Sequence, residues 1–151
     1  MIIRKATDLD NENADASTLY KDTKQHIREV RQLMLLFGWR LKYVARHHDW
    51  TKLEYFDDFA DDVFERKCED DFKKREWYNT HTTLERHHLN ATVPEDVNLW
   101  DVIEFMCDCI CAGYSRQGWL NEELLELDDE VLQLAYKNTI RYLANEIEVE
   151  E

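Results

Sequence analysis

The chain has 151 residues, only 3 Gly and 1 Pro, 34 % charged residues and a formal net charge of −14. That length suits one domain with a real core. The scarcity of turn residues excludes a turn-rich β architecture and favours an all-α, single-domain helical bundle, with 5 Trp, 7 Tyr and 6 Phe as bulky core material. The acidic excess excludes a basic nucleic-acid surface. It leaves three uses for the charge: solubility, carboxylates that await metal, and mimicry of DNA phosphate.

Residues 1–16 read as a polar lead-in, 17–145 as the helical domain and 146–151 as an acidic, fraying tail. Ser17 or Thr18 can cap a first helix with an apolar stripe of Leu19, Ile27, Val30, Leu33, Met34 and Phe37. His26 flanks that stripe. Gly38 can end or bend the helix, and a further stretch, Trp39 to Arg46, runs into His47-His48-Asp49. Tyr55, Phe56, Phe59, Val63 and Phe64 form the next stripe, with Asp57, Asp58, Asp61 and Asp62 outside it. A charged piece, Glu69 to Glu76, leads to Trp77 and Tyr78, and Thr80 can cap a helix with His81 and His88. Pro94 closes that region. Asp96 can then cap a helix with Leu99, Trp100, Ile103, Cys107, Ile110, Cys111 and Tyr114, which Gly118 ends. The last third carries a packing stripe of Leu132, Ala135, Tyr136, Thr139, Leu143 and Ile147, which also suggests a homodimer contact.

Cys107, Cys109 and Cys111 alternate within a helical pattern. Residues i and i+2 of a helix point about 200° apart, so the three thiols do not jointly face one ion. Together with Cys68 they read as small core residues of a reducing compartment. The N-terminus shows no signal-peptide pattern and no apolar run is long enough to span a bilayer, so a cytoplasmic location is expected.

Six histidines carry the chemistry: His26, His47-His48 before Asp49, His81, and His87-His88, followed by Asp108 on a later helix. Imidazole nitrogen and carboxylate oxygen together suit Mn, Fe, Co, Ni or Zn, with Mg also possible. A carboxylate can bridge two ions, which an imidazole does not readily do, so Asp49 is the candidate bridge. His47, the other member of its doublet, reads as a non-ligand. Asp108 lies in an apolar stripe, where an unpartnered carboxylate is costly. Glu104, one turn before Asp108, reads either as a partner that orients a ligand histidine or as a surface acid. If one helix runs unbroken from Thr80, the i, i+7 spacing favours His88 over His87 beside His81; a break near Thr83 reverses that preference. No P-loop, nucleophile-elbow or paired-CxxC pattern is present.

In the order H…HD…H…HH…D, these residues resemble the HD-domain superfamily of metal-dependent phosphohydrolases over roughly residues 17–114. Asp49-Trp50-Thr51-Lys52 matches a D-x-x-K extension of several branches. Trp77-Tyr78-Asn79-Thr80-His81 with His87-His88 is similar to a small, uncharacterised branch common in phages, which would place the protein in host cytoplasm. The resemblance implies that His26, His48, Asp49 and Asp108 hold a first divalent ion, and that His81 with His87 or His88 holds a second. Asp49, Lys52 and Glu104 are the candidate catalytic residues, and the resemblance further implies that Lys52 binds a phosphate oxygen. Arg40, Arg46, Arg86 and Arg116 are weaker candidates for that contact. The expected function is hydrolysis of a nucleotide or related small phosphate ester by metal-activated water, with no membrane or nucleic-acid partner. The competing expectation is an acidic binding protein, a DNA mimic or inhibitor, whose metal site is structural or vestigial. Its acidic faces would be Asp57 to Asp62 and Glu122 to Glu130.

Overall fold

Asp15, not Ser17 or Thr18, opens the first helix. Its carboxylate accepts from the Thr18 amide at 2.8 Å and the Thr18 hydroxyl at 3.0 Å, which satisfies an N–H left over at the helix start. The computed structural model describes residues 1–4, 15–65, 76–120 and 122–150. The acidic segment Asp8 to Asn13, Cys68 and nearly all of the charged piece from Glu69 lie outside them.

The fold is all-α. In chain order the helices are α1 (Ala16–His47), α2 (Trp50–Glu54), α3 (Phe56–Glu65), α4 (Glu76–Leu84), α5 (Leu99–Gln117) and α6 (Asp129–Asn145), with a 3-10 turn at Glu122–Leu125. The strands β1 (Ile2–Arg4) and β2 (Glu148–Glu150) pair in parallel, Ile2 opposite Glu148 and Arg4 opposite Glu150. Within the tail expected to fray, Glu148–Glu150 are therefore tied down by strand pairing. None of the helices is long and apolar enough to cross a membrane, among the described residues.

The chain divides into two compact units. One comprises Met1–Lys42 and Thr139–Glu151. In it, α1 passes through Gly38 without a break. A single helical glycine costs only about 1 kcal/mol relative to alanine, too little to stop a helix. Glu29 is the buried residue of α1, whereas Ile27, Val30 and Met34 of the expected stripe are exposed. The Arg40 guanidinium lies 4.7 Å from the Tyr142 ring centre and 5.3 Å from that of Trp39, a cation–π arrangement.

The other unit is Tyr43–Asn138. Its apolar core is Leu89, Val97, Phe105 and Ala135, with Leu99, Val102, Cys109, Leu127, Val131 and Leu134 packed against them. On α5 the core face is thus Val102, Phe105 and Cys109, while Cys107, Cys111 and Tyr114 are exposed. Of the expected stripe, Leu99 packs on the core and Trp100 is buried, but the later members miss the core face because α5 carries apolar residues nearly all round, so periodicity alone does not select a face. Asn98, not Asp96, caps α5: its side chain accepts from the amides of Trp100 and Asp101, and Asp101 accepts from the Asn98 amide. This is a reciprocal capping box. Gly118, in the left-handed region at φ 76°, closes the helix by donating to Tyr114 O.

Candidate metal centre

The turn that ends α1 makes the centre. His48 and Asp49 lie between α1 and α2, and Asp49 adopts φ 56°, ψ 27°. It is the one non-glycine residue with positive φ among the described residues. The left-handed conformation is unfavourable for an L residue, though least so for Asn and Asp. The turn sends the Asp49 carboxylate and the His48 ring to one place, with His48 Nε2 3.4 Å from Asp49 Oδ2.

Four further side chains arrive from α4, the loop after it, and α5. His81 Nε2 is 3.6 Å and His87 Nε2 3.7 Å from Asp49 Oδ1. His88 Nε2 is 2.7 Å from His81 Nε2. Asp108 Oδ1 is 3.7 Å from His48 Nε2. Three overlapping sets of ligand atoms are close enough to share an ion: His48, Asp49 and Asp108; Asp49, His81 and His88; and His48, His87 and Glu104. Asp49 belongs to two of them, as a bridging carboxylate would.

Thr80 lies inside α4 rather than capping a helix, and α4 ends at Leu84; the structure uses both members of the doublet rather than choosing one. The turn after α4 brings His88 onto His81 and buries His87 between Asp49 and Glu104. His87 is 1 % exposed, and neither of its ring nitrogens makes a hydrogen bond; nor does Asp49 Oδ1. Buried polar atoms without partners are costly, and His87 Nε2 and Asp49 Oδ1, which face each other at 3.7 Å, are placed to take an ion. A divalent transition metal suits this set of imidazoles and carboxylates.

Glu104 organises the imidazoles. Its Oε1 accepts from His48 Nδ1 at 3.0 Å, and His87 Nδ1 lies 3.2 Å from the same oxygen, off the line of a good hydrogen bond. With the proton held on Nδ1, His48 turns a bare Nε2 toward Asp49 and Asp108. Burial pushes the Glu104 carboxyl up, but His48 and His87 outweigh it and bring it down to about 2. The same hydrogen bond raises His48 despite burial, making it a more basic ligand. Burial, then the neighbouring His88 and Lys52, lowers His81 to about 3; burial, then His87, lowers His88 to about 4. Both rings are neutral at pH 7, the form that binds metal. Burial raises Asp49, but the Lys52 ammonium bonded to its Oδ2, with His48 and His81, takes it below the usual range.

Asp49, Glu104 and Asp108 thus bring three carboxylates to the imidazoles, with Lys52 paired to Asp49, a concentration of negative groups suited to a cation. A cleft of about 820 Å³ opens beside His88 and Asp108, lined also by Tyr78, Asn79, Thr82 and Arg116.

Not every expected residue arrives. His26 is exposed on α1 and belongs to none of the three sets. The expected separate helix that would fold His26 back does not exist, because α1 has no turn between His26 and His47. His47 donates from Nδ1 to Tyr43 O at 2.8 Å and stacks on the Tyr43 ring. Arg86 is held by two carboxylates, donating to both oxygens of buried Asp101 at 3.0 and 2.8 Å and to Asp96 at 3.0 Å; this is a fold-stabilising fork rather than an anion site. Arg40 lies in the other unit, against Trp39 and Tyr142, and Arg46 is exposed in the last turn of α1. Of the four arginines, Arg116 alone lines the cleft. Sequence reasoning missed Thr51 and Glu85, both buried beside His81; their only signal was position, Thr51 two residues after Asp49 and Glu85 four after His81.

A family model matches residues 15–147. The chain belongs to DUF5662, a family of unknown function. The match takes in every residue of the centre. No curated protein and no solved structure matches the chain.

Proposed function

We propose that this DUF5662 member is a metal-dependent phosphohydrolase of the HD type, acting on a nucleotide or related small phosphate ester. The observation that carries the reading is the convergence of His48, Asp49, His81, His87, His88 and Asp108 around unpartnered buried atoms. These are the residues of the H…HD…H…HH…D order, apart from His26. One ion would be held by His48, Asp49 and Asp108. A second would be held by Asp49, His81 and His88. Bound there, a divalent ion lowers the pKa of water toward neutrality and polarises a phosphoryl oxygen.

The chain's own residues supply the rest. Glu104 holds the His48 tautomer. Lys52, docked on Asp49, places an ammonium beside the centre, where it offsets charge that develops on phosphate. Arg116 offers a guanidinium at the cleft wall, suited to bidentate contact with phosphate. Tyr78, Asn79 and Asn90 line the same cleft and would offer an uncharged, polar portion of the substrate partners for hydrogen bonds.

The test is elemental analysis of purified protein and of Asp49→Asn, followed by a phosphatase screen over nucleotides with Mn and Co. One or two transition ions per chain, lost in the variant, together with Asp49-dependent phosphate release, is the expected result. A protein that neither carries nor takes up Mn, Fe, Co, Ni or Zn overturns the reading.

A further inference from the structure

Thr51 is fully buried and Glu85 is 5 % exposed, yet neither belongs to a metal set nor to the apolar core. A buried carboxylate is expensive unless hydrogen-bonded. Glu85 Oε1 accepts twice from one residue: from the Thr51 amide at 2.9 Å and from the Thr51 hydroxyl at 2.8 Å. A threonine hydroxyl has one proton to give. With that proton committed to Glu85, Thr51 Oγ1 presents only lone pairs to its other neighbour, His81 Nδ1, at 2.6 Å. The proton of that contact is therefore on His81 Nδ1. His81 Nε2 is left bare, 3.6 Å from Asp49 Oδ1, and His88 Nε2 becomes the donor across the 2.7 Å contact between the rings. Trp77, stacked on the His81 ring at 4.8 Å and 12°, fixes its plane.

We infer that Thr51 and Glu85 are positioning residues that set the tautomer of His81 and so present its Nε2 as a metal ligand, an inference that rests on reading Asp49, His81 and His88 as a metal set. The centre then has two orienting devices. Glu104 acts directly on His48, whereas Glu85 acts on His81 through a hydroxyl. The relay has a consequence that a merely structural contact lacks. Removing Glu85 while keeping Thr51 frees the hydroxyl to donate to Nδ1, which switches His81 to the Nε2–H form and blocks the ligand atom.

The experiment reads the ring-nitrogen shifts of His81 by ¹⁵N NMR in metal-free protein and Co(II) affinity by calorimetry, for wild type, Thr51→Ser, Thr51→Val and Glu85→Leu. Wild type and Thr51→Ser are expected to show the Nδ1–H form. Thr51→Val and Glu85→Leu are expected to shift toward Nε2–H and to bind Co(II) about 10- to 100-fold more weakly, the usual scale for losing an orienting partner. Glu85→Leu carries the test if Thr51→Val does not fold. An Nε2–H form in wild type, or an unchanged tautomer in folded Glu85→Leu or Thr51→Val, overturns the inference. A wild type that binds no Co(II) overturns the metal reading instead, and the ring-nitrogen shifts still judge the relay.

Discussion

Helix α5 carries Phe105 into an apolar core and Glu104, its immediate neighbour, into a cluster of imidazoles. The core is held by removing apolar surface from water, which is non-directional and tolerant of small shifts. The cluster is held by hydrogen bonds and charge between groups that each cost free energy to bury. One helix therefore serves two regions with different failure modes. Damage to the core lowers stability. On the proposed function, damage to the cluster removes chemistry instead.

The sharpest way to separate the two is Asp49→Asn, which keeps a side chain tolerant of the left-handed backbone. Phosphohydrolase activity should fall on the order of 10³-fold, the scale of losing an electrostatic stabiliser at a reacting centre, with the far-UV circular dichroism unchanged. Equal loss of helicity and activity would erase the distinction. Phe105→Ala is the converse: about 3–5 kcal/mol of stability should go, measured by urea unfolding, while metal content per folded chain stays at the wild-type value. Glu104→Gln should weaken metal binding about 10- to 100-fold by calorimetry, with a smaller change in unfolding midpoint than Phe105→Ala; a larger stability loss would assign Glu104 to the core side.

The next effect is on pH dependence in metal-free protein. His81 and His88 take up protons in the unfolded chain near pH 6.5 but in the native state only at about 3 and about 4. Between those values the unfolded state binds more protons, so stability is full above pH 6.5 and drains as pH falls toward 4. His48, shifted upward, contributes with the opposite sign. Melting temperature against pH in chelator should therefore fall on the acid side, and His81→Gln should flatten that slope; an equally steep slope in the variant would remove His81 from the account. The smallest effect is expected for His26→Gln, within about 0.5 kcal/mol for an exposed position and with no change in metal content. Metal lost on that substitution would return His26 to the ligand set.

The all-α fold was legible from composition and helical periodicity, and the identities of the clustered residues from their order along the chain. The remainder depended on where turns fall. Gly38 looked like a break and is not one, so His26 stays on the helix that ends at His47. The turn after Leu84 delivers both His87 and His88, where spacing on a single ideal helix permitted only one. On α5 the richness in apolar residues hid which face is the core, and with it the fact that Glu104 is nearly enclosed rather than a surface acid. Thr51 and Glu85 act through a hydrogen-bond direction, which no residue pattern encodes.

The left-handed backbone at Asp49 sets function against folding at a single position. Glycine adopts φ 56° without steric cost, and it would also withdraw one of three crowded carboxylates. Asp49→Gly sets relief of the backbone against loss of the Lys52 pairing, so the metal-free protein should melt close to wild type while losing metal binding. A position where the inert residue suits the backbone better than the working one is where a stabilised but silent relative would first diverge.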